Sequence, residues 1–221
     1  YRGMLTIDLH LHSKFSDGSL SIEKLVDLYG RAGFDAIAIT DHLCAQDSFL
    51  GKSARLLGIT LNKENWNDYI REIEKQANYA WKKYKMLVVS GVEFTRNTFS
   101  HGRNAHLIAL KPKEFIDPTQ SEEGWLRLAK EQGATTVAAH PLKVKDAASQ
   151  TYYLIQNKDR FEPLIDVWEV GNARTLWREM LKTPYALMAT SDLHTPAKWA
   201  SWRTQIECDK DPEALLAAIK N

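Results

Sequence analysis

Cysteine is scarce in this chain, long apolar runs are missing, and neither sign of charge prevails. Two cysteines among 221 residues, Cys44 and Cys208, cannot build a disulfide framework and are read as structural thiols. No apolar run approaches the roughly 20 residues that a bilayer span needs. No signal-peptide pattern is present, so a cytoplasmic location is expected, although the start at Tyr1 leaves room for a trimmed leader or tag. A formal net charge of +1 argues against a general polyanion-binding surface, and hence against a track for long nucleic acid, but allows a local positive pocket for one phosphate. Repeats, low-complexity tracts and linkers are also lacking. One domain over residues 1–221 is therefore expected, with a short helical insertion at about 43–85. Hydrophobic residues at 44% and charged residues at 26% suit a globular chain with a sizeable core.

Short apolar runs alternate with amphipathic stretches. Strands are expected at residues 5–11, 36–40, 86–94, 106–110, 135–140, 166–170, 186–191 and 204–207, and helices at 21–32, 63–83, 125–132, 174–181 and 212–220. Ser21 can cap the first helix, Gly33 and Gly133 can end theirs, and Asp211-Pro212 supplies a cap followed by proline at the first helical position. Apolar strands alternating with helices predict an α/β fold with a parallel sheet, most simply a closed barrel. In the 63–83 stretch, Trp66, Tyr69, Ile70, Ile73, Ala77, Ala80 and Trp81 recur at helical spacing and read as a core-facing stripe.

Potential metal ligands recur beside the ends of these strands. His10-Leu11-His12 closes the first, and residues two apart on a strand project to one face, so both imidazoles can reach one ion. Asp17 follows on a turn with Gly18, a residue suited to a tight loop. Asp41-His42 closes the second run, where barrel enzymes keep their chemistry. Glu93 ends the third; its two oxygens can bridge two cations, as an imidazole cannot. Bridged cations about 3.5–4 Å apart polarise a phosphoryl oxygen and hold a hydroxide. His106 breaks the pattern, because it begins its strand instead of ending it. His140, before Pro141, and Asp192 and His194 complete the set, which uses six of the seven histidines; His101 falls outside it. Each residue alone has an ordinary explanation as a loop hydrogen-bonding group or cap. Together they predict a multinuclear metal site, because acidic groups converging on one rim repel unless cations join them.

The segments Asp8-Leu9-His10-Leu11-His12-Ser13, Ser16-Asp17-Gly18, Thr40-Asp41-His42, Ala139-His140-Pro141 and Ser191-Asp192-Leu193-His194 resemble the polymerase-and-histidinol-phosphatase (PHP) family of metal-dependent phosphoesterases. Gly91-Val92-Glu93 and Asn104-Ala105-His106 are similar too. The resemblance runs from Leu5 to about Ile219 and implies a distorted (β/α)7 barrel. It also implies two to three divalent ions, manganese, iron or zinc. His10, His12, Glu93 and Asp192 would hold the first, Glu93, His106 and His140 the second, and Asp17, His42 and His194 the third. Asp17, where some relatives carry histidine, favours manganese or iron over zinc.

The implied reaction is hydrolysis of a small phosphate ester, with Glu93, Asp192 and His194 nearest the chemistry. Lys143 is the foremost expected phosphate anchor, followed by Arg103 and Arg174, with Ser13 and Lys14 as minor contributors. The Asp17 version, within Asp-Gly-Ser-Leu-Ser, resembles the stand-alone branch that includes nucleotide 3′-phosphatases, so a nucleotide or nucleoside 3′,5′-bisphosphate is one expected substrate. The chain lacks that branch's longer inserted domain, which keeps a histidinol-phosphate-type or other small monoester open. Two further classes compete. An amidohydrolase-type enzyme usually has a bridging lysine at a strand end, and no lysine ends a strand here. A non-catalytic metal-binding scaffold would have lost ligands, whereas every ligand position is filled.

Overall fold

A computed structural model describes residues 2–99, 102–142 and 150–221. Along the chain run β1 (Arg2–Leu11), α1 (Ile22–Arg31), β2 (Ala36–Ile39), β3 (His42–Cys44), α2 (Phe49–Leu56), α3 (Trp66–Tyr84), β4 (Leu87–Arg96), β5 (Ala105–Leu110), α4 (Glu122–Glu131) and β6 (Thr135–Ala138). After these come α5 (Tyr153–Gln156), α6 (Lys158–Phe161), β7 (Val167–Asn172), β8 (Thr175–Leu176), β9 (Leu187–Thr190), β10 (Thr204–Asp209) and α7 (Pro212–Ala218). Ser21 accepts from the Lys24 N–H, Ser121 from Gly124, and Asp211 from Glu213 and Ala214; each such cap is worth about 1 kcal/mol. Gly33 and Gly133 follow α1 and α4 at φ 81° and 79°, left-handed positions that suit glycine.

Strands β1, β2, β4, β5, β6, β7 and β9 follow one another around a curled sheet, with β10 outside β1, β3 beside β4 and β8 at the end of β7. Between β9 and β1 the ring is joined by the isolated parallel bridge Leu11–Leu193. The result is a distorted (β/α)7-type barrel. The expectation of an all-parallel sheet needs correction: β5 runs antiparallel to both β4 and β6, and β10 is antiparallel to β1. Two apolar cores follow the strand alternation. One fills the barrel, taking Ile7, Leu9, Ala38, Val89, Ile108, Val137, Val167 and Met188 from the seven ring strands, with Leu215 and Leu216 of α7 at one end. The other lies between the strands and the outer helices and holds Val26, Tyr69, Phe94, Trp125 and Trp168.

Helix α3 packs on β4 and α1 as the crossover between β2 and β4. Its Trp66, Tyr69, Ile73 and Ala80 are buried as expected, whereas Trp81 is 43% exposed. Within residues 43–85, α2 and its flanks are therefore the addition to the barrel pattern. The helix expected at 174–181 is absent. Trp177 donates its N–H to Val170 O, and Thr175–Leu176 pairs with Gly171 and Asn172, so the chain turns back on β7 before a single 3-10 turn at Met180–Lys182. The helix-like spacing arose because Trp177 and Met180 are both buried, from two different local structures.

Candidate metal centre

All nine expected ligands meet at one rim of the barrel. On β1, Leu5, Ile7 and Leu9 belong to the inner core but Leu11 to the outer one, and the β1–β2 register slips between Asp8 and Leu11. That irregularity shifts the alternation, so His10 and His12 follow Leu9 inward. Glu93 shares the inner face with Val89, and His106 with Ile108 and Leu110. Because β5 is reversed, its first residues lie at the same rim as the last residues of its neighbours. The one position that broke the sequence pattern thus has a topological cause. His140 and Asp192 adopt left-handed backbone conformations, φ 28° and 52°, the kind of local strain that surrounding structure must hold in place. Gly18 lies so close to β1 that a Cβ would sit 2.2 Å from His12 O, which makes glycine a steric requirement in the Asp17 loop.

Glu93 lies at the centre and is fully buried. Its Oε1 is 3.0 Å from His106 Nδ1, 3.3 Å from His140 Nε2 and 3.4 Å from His10 Nε2, while Oε2 is 3.5 Å from His12 Nε2. His42 Nδ1 is 2.7 Å from both Glu93 Oε2 and Thr95 Oγ1, but only the threonine lies in a hydrogen-bonding direction. Asp192 Oδ1 approaches His12 Nε2 at 3.1 Å and His10 Nε2 at 3.4 Å. Further out, Asp17 Oδ1 is 3.2 Å from His194 Nε2 and 3.5 Å from His42 Nε2.

Among the described residues four donor groups result, each with ligand atoms mutually within 4.8 Å: His12, Asp17, His42 and His194; His10, His140 and Asp192; His10, His12 and Glu93; and Glu93, His106 and His140. His10 Nε2, both ring nitrogens of His12, Glu93 Oε2 and Asp192 Oδ1 are buried without a hydrogen-bond partner among the described residues. Leaving such atoms unsatisfied costs about 1–3 kcal/mol each. Converging nitrogen and oxygen donors in that state fit divalent cations.

The far side of several rings is held. Glu169 Oε1 lies 2.8 Å from His10 Nδ1, and Thr151 Oγ1 lies 2.9 Å from His140 Nδ1. A carboxylate only accepts, so His10 carries a proton on Nδ1 and turns Nε2 to the cluster. Glu169 also receives the His140 N–H, the Asn172 amide and the Thr190 hydroxyl. Sequence reasoning passed over this residue, although an acid inside the apolar run Val167-Trp168-Glu169-Val170 was a visible signal. Asp41, fully buried, accepts from Ser13 N–H, Ser13 Oγ and Ser16 Oγ and so anchors the loop that carries Asp17.

Burial opposes charge throughout the cluster, yet neighbours reverse it. For His10 the carboxylates of Asp192, Glu93 and Glu169 outweigh burial and hold the imidazole well above its ordinary range. Glu93 and Asp17 do the same for His42, while Glu93 and Asp192 raise His140, and Asp192 and Asp17 raise His194, above the ordinary value. His12 goes the other way, pushed down to about 3 by burial and then by His194 and His42. Burial also depresses His106. Asp17, Glu93 and Asp192 fall below the usual carboxylate range because adjacent imidazoles overcome burial. An incoming cation must displace the protons these histidines hold.

Among the described residues, the expected phosphate anchors are placed less favourably. Lys143 lies outside the described residues, as does His101. Arg103 Nη2 is 3.2 Å from Glu122 Oε2. Arg174 is exposed just past Ala173, whose N–H bonds to Thr190 O beside the rim. Ser13 is buried and committed to Asp41, which removes it as a phosphate contact.

Fold and site together define an α/β barrel with a polynuclear candidate metal centre. The chain belongs to the PHP domain family, whose model matches residues 8–175. No curated protein matches it. Among solved structures it is similar to a two-domain protein from Bacteroides vulgatus containing a predicted PHP-like metal-dependent phosphoesterase, with TM-score 0.70 and 22% identity. All of this chain is covered, and it spans 63% of the length of that protein. It is also similar to a candidate metal-dependent phosphoesterase from Bifidobacterium adolescentis, with TM-score 0.53, 15% identity, and 85% and 87% of the two chains covered. A third similar structure is an amidohydrolase from Chromobacterium violaceum with bound sulfate and no metal, with TM-score 0.59, 15% identity and 96% of each chain covered. At these identities the likeness establishes the fold.

Proposed function

We propose that this chain is a metal-dependent phosphoesterase that hydrolyses a small phosphate monoester, with a nucleotide or nucleoside 3′,5′-bisphosphate as the foremost candidate and a histidinol-phosphate-type monoester as the alternative. The observation that carries the reading is Glu93: a buried carboxylate with imidazole nitrogens within 3.5 Å of each oxygen, placed to join two metal positions. His10, His12, Glu93 and Asp192 would hold one ion, Glu93, His106 and His140 a second, and Asp17, His42 and His194 a third, with manganese, iron or zinc suited to the donors. Such ions supply Lewis acidity toward phosphoryl oxygens and lower the pKa of an attacking water.

The chain's own residues do the rest. Glu93 stays ionised among its imidazoles and fixes their spacing. Glu169, Thr95 and Thr151 lock ring orientation from behind. Asp192 and His194 are only partly buried, so they face the solvent side of the cluster and can orient the attacking water. Water oxygen forms the new P–O bond, and the leaving oxygen departs with a proton as the alcohol. Lys143, Arg103 and Arg174 are the candidate anchors for phosphoryl charge.

The names of the two phosphoesterase-like relatives support this reading. So does the sulfate in the third, a tetrahedral oxyanion of phosphate's shape. No strand of the described fold ends in a lysine, the usual place of the bridging group in amidohydrolases. Protein reconstituted with manganese, iron or zinc should release phosphate from at least one of adenosine 3′,5′-bisphosphate, mononucleotides, sugar phosphates and histidinol phosphate. Bound metal with no release across that panel overturns the reading in favour of a scaffold.

A further inference from the structure

A cavity of about 220 Å³ lies between the start of α2 and residues 96–99 and 103, beside the metal rim. Asn97 lines it, and Asn97 Oδ1 is 3.1 Å from His106 Nε2, so one end abuts a candidate ligand. Phe49, the first residue of α2, and Phe99 form another wall, with ring centroids 5.8 Å apart and planes inclined by 33°. They are 69% and 71% exposed. Rings left so open bury little surface and add little to the fold, so much apolar area remains for a ligand to cover.

Charge around the cavity narrows the ligand's chemistry. Arg96 and Arg103 line it, but Arg96 contacts both Asp47 and Glu122, and Arg103 lies 3.2 Å from Glu122. Two cations matched by two carboxylates give weak preference for a second anion. Two adjacent aromatic faces prefer something flat and uncharged, because stacking needs only a π-surface. The exposed Leu56 and Leu57 stand at the opposite end of α2, about 10 Å along its axis, away from this wall.

We propose that Phe49 and Phe99 form a subsite for the planar aromatic or heteroaromatic group of the ester whose phosphoryl group meets the metal rim, which makes them specificity-determining residues. This inference rests on the phosphoesterase reading and adds a substrate preference to it: aryl or nucleoside esters over aliphatic ones.

The test compares kcat/KM for phenyl phosphate and adenosine monophosphate with that for glycerol 3-phosphate, in the metal-reconstituted chain and in Phe49→Ala, Phe99→Ala and the double variant. The planar-to-aliphatic ratio should fall about tenfold or more in the double variant, mainly through KM, and Phe→Trp at either position should restore it. A ratio unchanged in the double variant overturns the proposal. So does a dimer in the parent chain that the double variant dissociates, since the patch is then a protein contact. If none of the three esters is hydrolysed, the phosphoesterase reading is decided separately by the wider ester panel given above. Titration of adenosine into the metal-reconstituted parent and double variant then decides the subsite: binding weakened in the variant supports it, and no binding, or equal binding, overturns it.

Discussion

The ligand cluster has a buried half and an open half, and they are built differently. His10, His12, Glu93 and His140 are buried and lie on or directly after barrel strands. Their supports come from inside the fold: Glu169 behind His10, Thr151 behind His140, and the inner core below. Asp17, His42 and His194 are more exposed, Asp17 at 38%, and Asp17 and His194 come from loops. The loops are joined by the Ser19 N–H bond to His194 O and pinned by Asp41. Rigid strands fix the first half to within a narrow geometry, whereas the second can adjust as a substrate arrives. The buried positions should therefore bind ions tightly and the open one more weakly.

Glu93→Gln attacks the residue that touches the buried half and, through His42, the open one. Losing one ionised oxygen at nearly constant shape should lower phosphate release on the order of a thousandfold while the folded circular-dichroism spectrum persists. Unchanged turnover would refute its joining role. Glu169→Gln should act on the buried half alone. Metal affinity measured by chelator competition should fall about ten- to a hundredfold for the more tightly held ion. A loss confined to the weakly held ion would contradict the partition. Asp17→Asn is the mirror experiment, with a smaller expected effect of about tenfold on the weakly held ion. Elemental analysis should show tight sites still filled; if they empty as well, the halves are one cooperative unit.

Most of the centre was legible in the sequence because strand ends place side chains predictably. Glu93 and the Asp192–His194 pair meet at the strand ends that the sequence marked, and His10 and His12 share one face as their spacing predicts. What failed to show was direction and support. Nothing local distinguishes a reversed β5 from a parallel one, so His106 looked misplaced until its neighbours' pairing was known. The register slip in β1 is equally silent, since it depends on β2. Thr95 and Thr151 are ordinary threonines until a histidine lies within 3 Å. Glu169 did carry a signal, an acid in an apolar strand. The 174–181 segment misled because burial of Trp177 and Met180 mimics a helical period while the backbone pairs with β7. For Lys143, Arg103 and Arg174 the sequence offered only charge and proximity, which do not tell an anchor from a solvated side chain.

The backward run of β5 also alters what the barrel can become. In a uniformly parallel ring, each chain return toward the catalytic mouth is made by a strand, and alternate connections lie underneath. Turning one strand around lets β4 and β5 meet through a direct hairpin linker at the mouth, with no helix to bridge and no donor atom displaced. That linker can lengthen, shorten or change chemistry while the cation cage stays intact, so new selectivity can arise there with the chemistry below left undisturbed.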